Sequence, residues 1–216
     1  MHNTIKNLIY IEELIKSKVN HDTLPIIIAV SKTFPIQNIL PLLEHGHRHY
    51  GENKVQEALD KWSHIKPKYK ELKLHLIGRL QTNQVKFALK IFDYIHSLDS
   101  EKLANKIANE QKKYKKKPKI FIQVNVGNED KKSGIDKGNL NDFYKFCKKL
   151  NLDIIGTMCI PPNDDNTEKY FSEMSDINKE LNFKELSMGM SGDYLEAIKN
   201  NATYVRVGSK IFGSRT

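Results

Sequence analysis

Apolar positions along the chain follow two alternating rhythms. Residues 1–18 carry Ile5, Leu8, Ile9, Ile11, Leu14 and Ile15 at three- and four-residue intervals, the stripe of an amphipathic helix. After Pro25 the rhythm changes to Ile26-Ile27-Ile28-Ala29-Val30, five apolar residues of which four are β-branched. Such a run reads as a strand buried on both faces, as in a parallel sheet. Further short strands are predicted from about 47, 73, 94, 119, 153, 183 and 203. Helical spacing fills the intervals over 36–44, 55–62, 81–90, 101–113, 140–150, 167–181 and 194–199, with a stub at 210–213. Gly46 ends the first of these, and Asp99 or Ser100 is placed to cap the helix that starts at 101.

Strands that alternate with helices imply an α/β fold with a parallel sheet. Eight such units over residues 1–216 suit a single domain, a closed (β/α)8 TIM barrel with an extra N-terminal helix. An open doubly wound sheet carries the same local signals. Composition adds little to the fold but narrows the function. Hydrophobic residues at 39% and charged ones at 28% fit a soluble globular protein. No apolar run approaches the length that spans a bilayer, and the N-terminus lacks the apolar core of a signal peptide. Cys147 and Cys159 have no metal-ligand spacing and suit a reducing compartment, so the expected location is cytoplasmic. The net charge of +9 is mostly lysine, densest over 112–119. No nucleic-acid-reading motif accompanies that cluster, which reads as a solvated face.

In a barrel, the residues just after each strand converge on one mouth. Here they are Lys32, Asn53, the 75–79 segment, Asp99, Asn125, Met158, the 187–191 run and 206–209, a polar and glycine-rich set. Lys32 stands at the end of the first strand, where an apolar run would otherwise continue or turn. A lysine that loses hydration there, or lies near other cations, offers its amine as a nucleophile towards aldehydes. The alternative is a lysine that snorkels its ammonium into water. Ser187-Met188-Gly189-Met190-Ser191-Gly192-Asp193 reads as a connection between strand and helix, and Val205-Arg206-Val207-Gly208-Ser209 opens the last short helix. Loops after the seventh and eighth barrel strands commonly hold phosphate. Helix capping by Ser191 and a tight turn at Gly208 are the structural alternatives. A phosphate cradle beside a lysine points to a phosphorylated aldehyde. The His45, His47, His49 run is interrupted by Gly46, which spoils a common face for zinc, so no metal site is expected. Cys159 lacks a partner base and reads as a packed small hydrophobe.

Several segments together resemble the pyridoxal-phosphate homeostasis protein family, which is related to the barrel domain of alanine racemase. They are Ala29-Val30-Ser31-Lys32-Thr33, Gly51-Glu52-Asn53 with Val55-Gln56-Glu57, the run from His75 to Asn83, Leu186 to Ser191, and Val205 to Gly213. The resemblance implies a lone barrel of the type III pyridoxal-phosphate class, without the racemase's second domain. It implies pyridoxal 5′-phosphate as cofactor, held as a Schiff base on Lys32. Asn53 lies beside the ring in this reading, Met190 lines the pocket, and Ser191, Gly208 and Ser209 hold the phosphate. Arg206 faces the pyridine nitrogen; a guanidinium stays protonated, so it leaves that nitrogen without a proton. The implied role is intracellular homeostasis of pyridoxal phosphate, as a monomeric carrier that supplies apo-enzymes. A racemase-like amino-acid isomerase is the competing reading, and no acid/base residue opposite Lys32 is identifiable for it. The chain departs from the family pattern at Phe34, Leu74 and Gln84.

Overall fold

A computed structural model describes residues 1–18, 24–129 and 133–214. Its strands are β1 (Ile26–Val30), β2 (His49–Glu52), β3 (Lys73–Leu76), β4 (Tyr94–Leu98), β5 (Lys119–Gln123), β6 (Asp153–Met158), β7 (Glu185–Met190) and β8 (Tyr204–Val207). They form a closed barrel in sequence order, with every neighbouring pair parallel and β1 hydrogen-bonded to β8. The closed barrel, and not the open sheet, is therefore the fold. Register brings Ile28 opposite Arg206 and Gly51 opposite His75.

The first helix, α1 (Asn3–Lys18), precedes the barrel and buries Leu8, Ile11 and Ile15. It packs against α2 (Ile36–Glu44), and Asn7 donates from Nδ2 to the Ile211 carbonyl at 3.0 Å. The intervening helices are α3 (Val55–Trp62), α4 (Val85–Ile91), α5 (Glu101–Tyr114), α6 (Leu140–Lys149), α7 (Thr167–Glu180) and α8 (Tyr194–Lys199), and the short α9 (Ser209–Phe212) closes the series. Ser100, and not Asp99, caps α5, its side chain accepting from the Leu103 N–H. That contact is worth about 1 kcal/mol.

Apolar burial is split by the sheet. The larger core lies between the strands and the helices, and takes in Tyr50, Trp62, Phe92 and Phe171. A smaller cluster fills the barrel itself, with Ile28, Tyr94, Phe121, Met158 and Tyr204. Alternation along a strand explains the division: Ile28 points inward while Ile27 and Ala29 pack outward. Besides shifts of one or two residues at element ends, two differences from the sequence reading stand out. The helix expected over 81–90 opens with a 3₁₀ turn at Thr82–Gln84. The seventh strand runs on through Ser187, Met188 and Gly189, residues expected in a connection, because the Ser187 and Met188 side chains find buried places on its two faces.

Candidate functional site

The carboxyl rim of the barrel surrounds a hollow of about 490 Å³. Lys32 enters it just beyond β1, Asn53 just beyond β2, and Arg206 from within β8. Met190, Ser191, Gly208 and Ser209 complete the side made by the chain's last quarter, and Val30 and Ile77 supply apolar wall. All seven residues singled out from the sequence thus line one space. Two of the lining side chains are cations and none is a carboxylate.

The ends of β7 and β8 are tied together at this rim. Gly208 N–H donates to Ser191 Oγ at 3.1 Å, so Ser191 bridges two loops and does not cap α8. Because its oxygen accepts there, its own O–H is left to donate. Met190 N–H donates to Asp193 Oδ1 at 2.6 Å, which fixes the turn between. Gly189, at φ +87, lets that turn approach α8: a Cβ there would meet the Ala197 Cβ at 2.5 Å.

Lys32 sits on a loop clamped from behind. Glu52 is wholly buried, and its Oε1 accepts from Ser31 Oγ at 2.7 Å, Lys61 Nζ at 2.9 Å and Trp62 Nε1 at 2.9 Å. Lys61 Nζ also donates to the Ser31 carbonyl at 2.9 Å and to Glu57 Oε1 at 3.1 Å. Glu57 in turn accepts from the Thr33 N–H at 2.5 Å. Both neighbours of Lys32 are therefore held, and Thr33 is held at φ +69, a left-handed conformation uncommon for a branched residue. Burial pushes the Glu57 carboxyl up, but Thr33 N–H and Lys61 outweigh it and leave it below the usual carboxylate range.

Arg206 is buried, and its partners are neutral. One terminal nitrogen, Nη1, donates to the Ser187 carbonyl at 2.9 Å and to Ser187 Oγ at 2.8 Å; Nη2 donates to the Cys159 carbonyl at 2.8 Å. Burial lowers the Arg206 pKa, and pushes the Cys159 thiol up to about 12, so Cys159 serves through its backbone and not its sulfur. Below Ser187 stand three histidines in hydrogen-bond contact. His96 Nδ1 lies 2.9 Å from Ser187 Oγ, His75 Nδ1 lies 3.0 Å from His96 Nε2, and His49 Nδ1 lies 2.9 Å from His75 Nε2. Of the histidine run, His45 is exposed and His47 turns to the His49 carbonyl at 2.9 Å. Among the described residues no group of three His, Cys, Asp or Glu side chains is placed to hold a metal ion.

The clamp and the histidine stack were not singled out from sequence. Glu52 and Glu57 stood inside a quoted motif, and strand alternation already turns Glu52 away from the barrel axis towards α3. His75 and Ser187 were expected at the mouth, yet both are fully buried in the barrel. A strand end is misjudged by one or two residues easily, and each step moves a side chain about 3.3 Å along the strand.

Comparison with known proteins agrees with this architecture. A family model for the alanine racemase N-terminal domain matches residues 7–216, and the chain belongs to that family. Within it the chain falls with the pyridoxal phosphate homeostasis proteins. That of Aquifex aeolicus is 38% identical over 199 residues, covering 88% of this chain and 86% of the relative. That of Escherichia coli is 32% identical over 200 residues, covering 88% and 85%. Among solved structures, PipY of Synechococcus elongatus without PLP superposes with a TM-score of 0.88 at 32% identity, covering 98% of this chain and 100% of PipY. PipY with PLP bound gives a TM-score of 0.86, covering 97% and 100%. An alanine racemase from Clostridium difficile shares the fold at a TM-score of 0.74 and 16% identity, over 99% of this chain and 57% of the racemase.

Proposed function

We propose that this chain binds pyridoxal 5′-phosphate and takes part in the intracellular homeostasis of that cofactor. The observation that carries the reading is the single hollow that gathers Lys32, Arg206, Ser191 and Ser209 with no carboxylate in its lining. An amine, a second cation and paired hydroxyls fit an anionic molecule that carries an aldehyde and an aromatic ring. PipY, a relative of the same fold, has been solved with PLP bound, which supports the same ligand here.

In this reading the Lys32 amine adds to the aldehyde carbon and one water leaves, which gives a reversible Schiff base. Ser191, Gly208 and Ser209 hold the phosphate, Asn53 lies beside the ring and Met190 covers it. Arg206 faces the pyridine nitrogen. A guanidinium only donates, so it keeps that nitrogen unprotonated and limits the ring as an electron sink. Such a site favours holding the cofactor over carbanion chemistry. Residues 1–216 work as one cofactor-binding barrel domain, a monomer in the cytoplasm that passes its cargo to apo-enzymes. Among the described residues no helix is long and apolar enough to cross a membrane.

The test is visible absorbance of the purified chain with pyridoxal 5′-phosphate, then borohydride reduction and peptide mass mapping. A pyridoxyl adduct is expected at Lys32 and lost in Lys32→Ala. Failure to take up the aldehyde, or an adduct elsewhere, overturns the assignment. Formation of D-amino acids from L-amino acids above the Lys32→Ala background would overturn the carrier role in favour of a racemase-like enzyme.

A further inference from the structure

Arg206 is a buried cation; the Asp193 charge favours it from a distance, but among the described residues its hydrogen-bond partners include no carboxylate, so neutral groups fix its orientation. Ser187 Oγ receives one of its hydrogens and, among the described residues, hydrogen-bonds one other side chain, His96. Arginine has no acceptor atom, so the serine's own hydrogen can go only to His96 Nδ1. That choice propagates. A neutral His96 with an accepting Nδ1 carries its hydrogen on Nε2, which faces His75 Nδ1 at 3.0 Å. His75 then also accepts at Nδ1 and donates from Nε2, to His49 Nδ1 at 2.9 Å. The hydrogens are thus assigned by the one partner that cannot switch roles.

We propose that His96 and His75, with His49 beneath them, are positioning residues for Arg206: a column of neutral Nε2–H imidazoles that orients the Ser187 hydroxyl and, through it, the guanidinium. Every N–H in the column points away from Arg206 and every lone pair points towards it. The aligned dipoles therefore present their negative ends to the cation. Neither buried ring can turn over easily. His75 stacks on Tyr94 with centroids 4.2 Å apart, and His96 on Phe121 at 4.3 Å. The opposite polarity would make Ser187 Oγ accept twice and leave its hydrogen without an acceptor in the barrel interior. Burial supports the neutral state, holding His75 and His96 well below the usual imidazole range, with the charge of Arg206 adding to the effect on His96. The consequence for the pocket rests on the reading that Arg206 meets the cofactor ring.

The column is tested first without any ligand. Two-bond ¹H–¹⁵N correlation on the labelled chain at neutral pH should show His75 and His96 as Nε2–H tautomers. An Nδ1–H tautomer or an imidazolium at either ring overturns the proposal. Next, Ser187→Ala and His96→Phe are compared with the wild type by the rotation rate of the Arg206 guanidinium, read from nitrogen exchange broadening. Loss of a hydrogen bond to a charged group should raise that rate by about tenfold or more. An unchanged rate in either variant overturns the positioning role, whatever their melting temperatures, because a purely packing role would not immobilise that group. Pyridoxal 5′-phosphate then serves as the probe: its bound visible band should shift in Ser187→Ala relative to wild type, and an unshifted band removes the link to the pocket. If the wild-type chain leaves the probe unbound, the cofactor reading fails while the tautomers and the rotation rate still judge the column.

Discussion

Replacing Lys61 by methionine keeps the length and most of the volume of the side chain but removes the ammonium. In the folded chain the Lys61 side chain is 8% exposed and its ammonium lies 2.9 Å from Glu52 Oε1, whose side chain is wholly buried. Once it is gone, the carboxylate keeps only two neutral donors, Ser31 Oγ and Trp62 Nε1, and the Ser31 carbonyl loses its donor. Breaking a buried ion pair from one side costs about 3–5 kcal/mol, because the remaining charge is uncompensated. For a chain of this size each kcal/mol moves the melting temperature by about 2–4 °C, so Lys61→Met should melt roughly 6–20 °C below wild type. Calorimetry gives the shift, and urea unfolding with an unchanged slope shows that it is a change in stability. Adding Glu52→Gln removes the stranded charge, so the double variant should be more stable than the sum of the single losses by about 0.5–3 kcal/mol. A Lys61→Met shift below about 2 °C, or two effects that simply add, would refute the clamp.

Acid should weaken the fold through its histidines. Burial pushes both His47 and His49 down to about 4, whereas imidazoles of the unfolded chain take a proton near 6.5. Stability is then complete above pH 6.5 and falls as the pH drops towards 4, with a slope that approaches about 1.4 kcal/mol per pH unit for each of the two histidines. Urea unfolding at pH 7, 5.5 and 4.5 checks this, and a flat profile would contradict the burial. Gly78→Ala should disturb the pocket directly, since its new Cβ would run into the Asn53 backbone. A loss of about 1–3 kcal/mol in stability together with weaker uptake of pyridoxal 5′-phosphate is expected, measured by melting and by absorbance titration. Ser191→Ala removes a hydroxyl assigned to the phosphate, and should weaken uptake by about tenfold to a hundredfold in the same titration. Uptake equal to wild type would remove Ser191 from the phosphate site.

The hydrophobic rhythm by itself determined which segments are strands and which are helices. Period-2 and period-3.6 burial are local properties, so 26–30, 119–123 and 204–207 are legible as strands without knowledge of their partners. The order of the elements narrowed the fold to two parallel architectures. Lys32 and Arg206 were legible as candidates because each ends or interrupts an apolar run, and Asn53 because it follows a predicted strand within a motif of the resembled family. Closure was expected from the count of eight units and from the resemblance, not from any local pattern. Whether β1 meets β8 depends on backbone pairing between residues 178 positions apart, such as Ile27 and Val205, and no local pattern encodes it. For the same reason the sequence could not show that Lys61 neutralises Glu52, or that His49, His75 and His96 stack beneath Ser187 and Arg206. The first contact joins α3 to the outer face of β2; the others join β2, β3, β4, β7 and β8, where the barrel's register brings inward-facing side chains to one level. Residue type and spacing selected the chemistry; long-range pairing decided which of those groups touch.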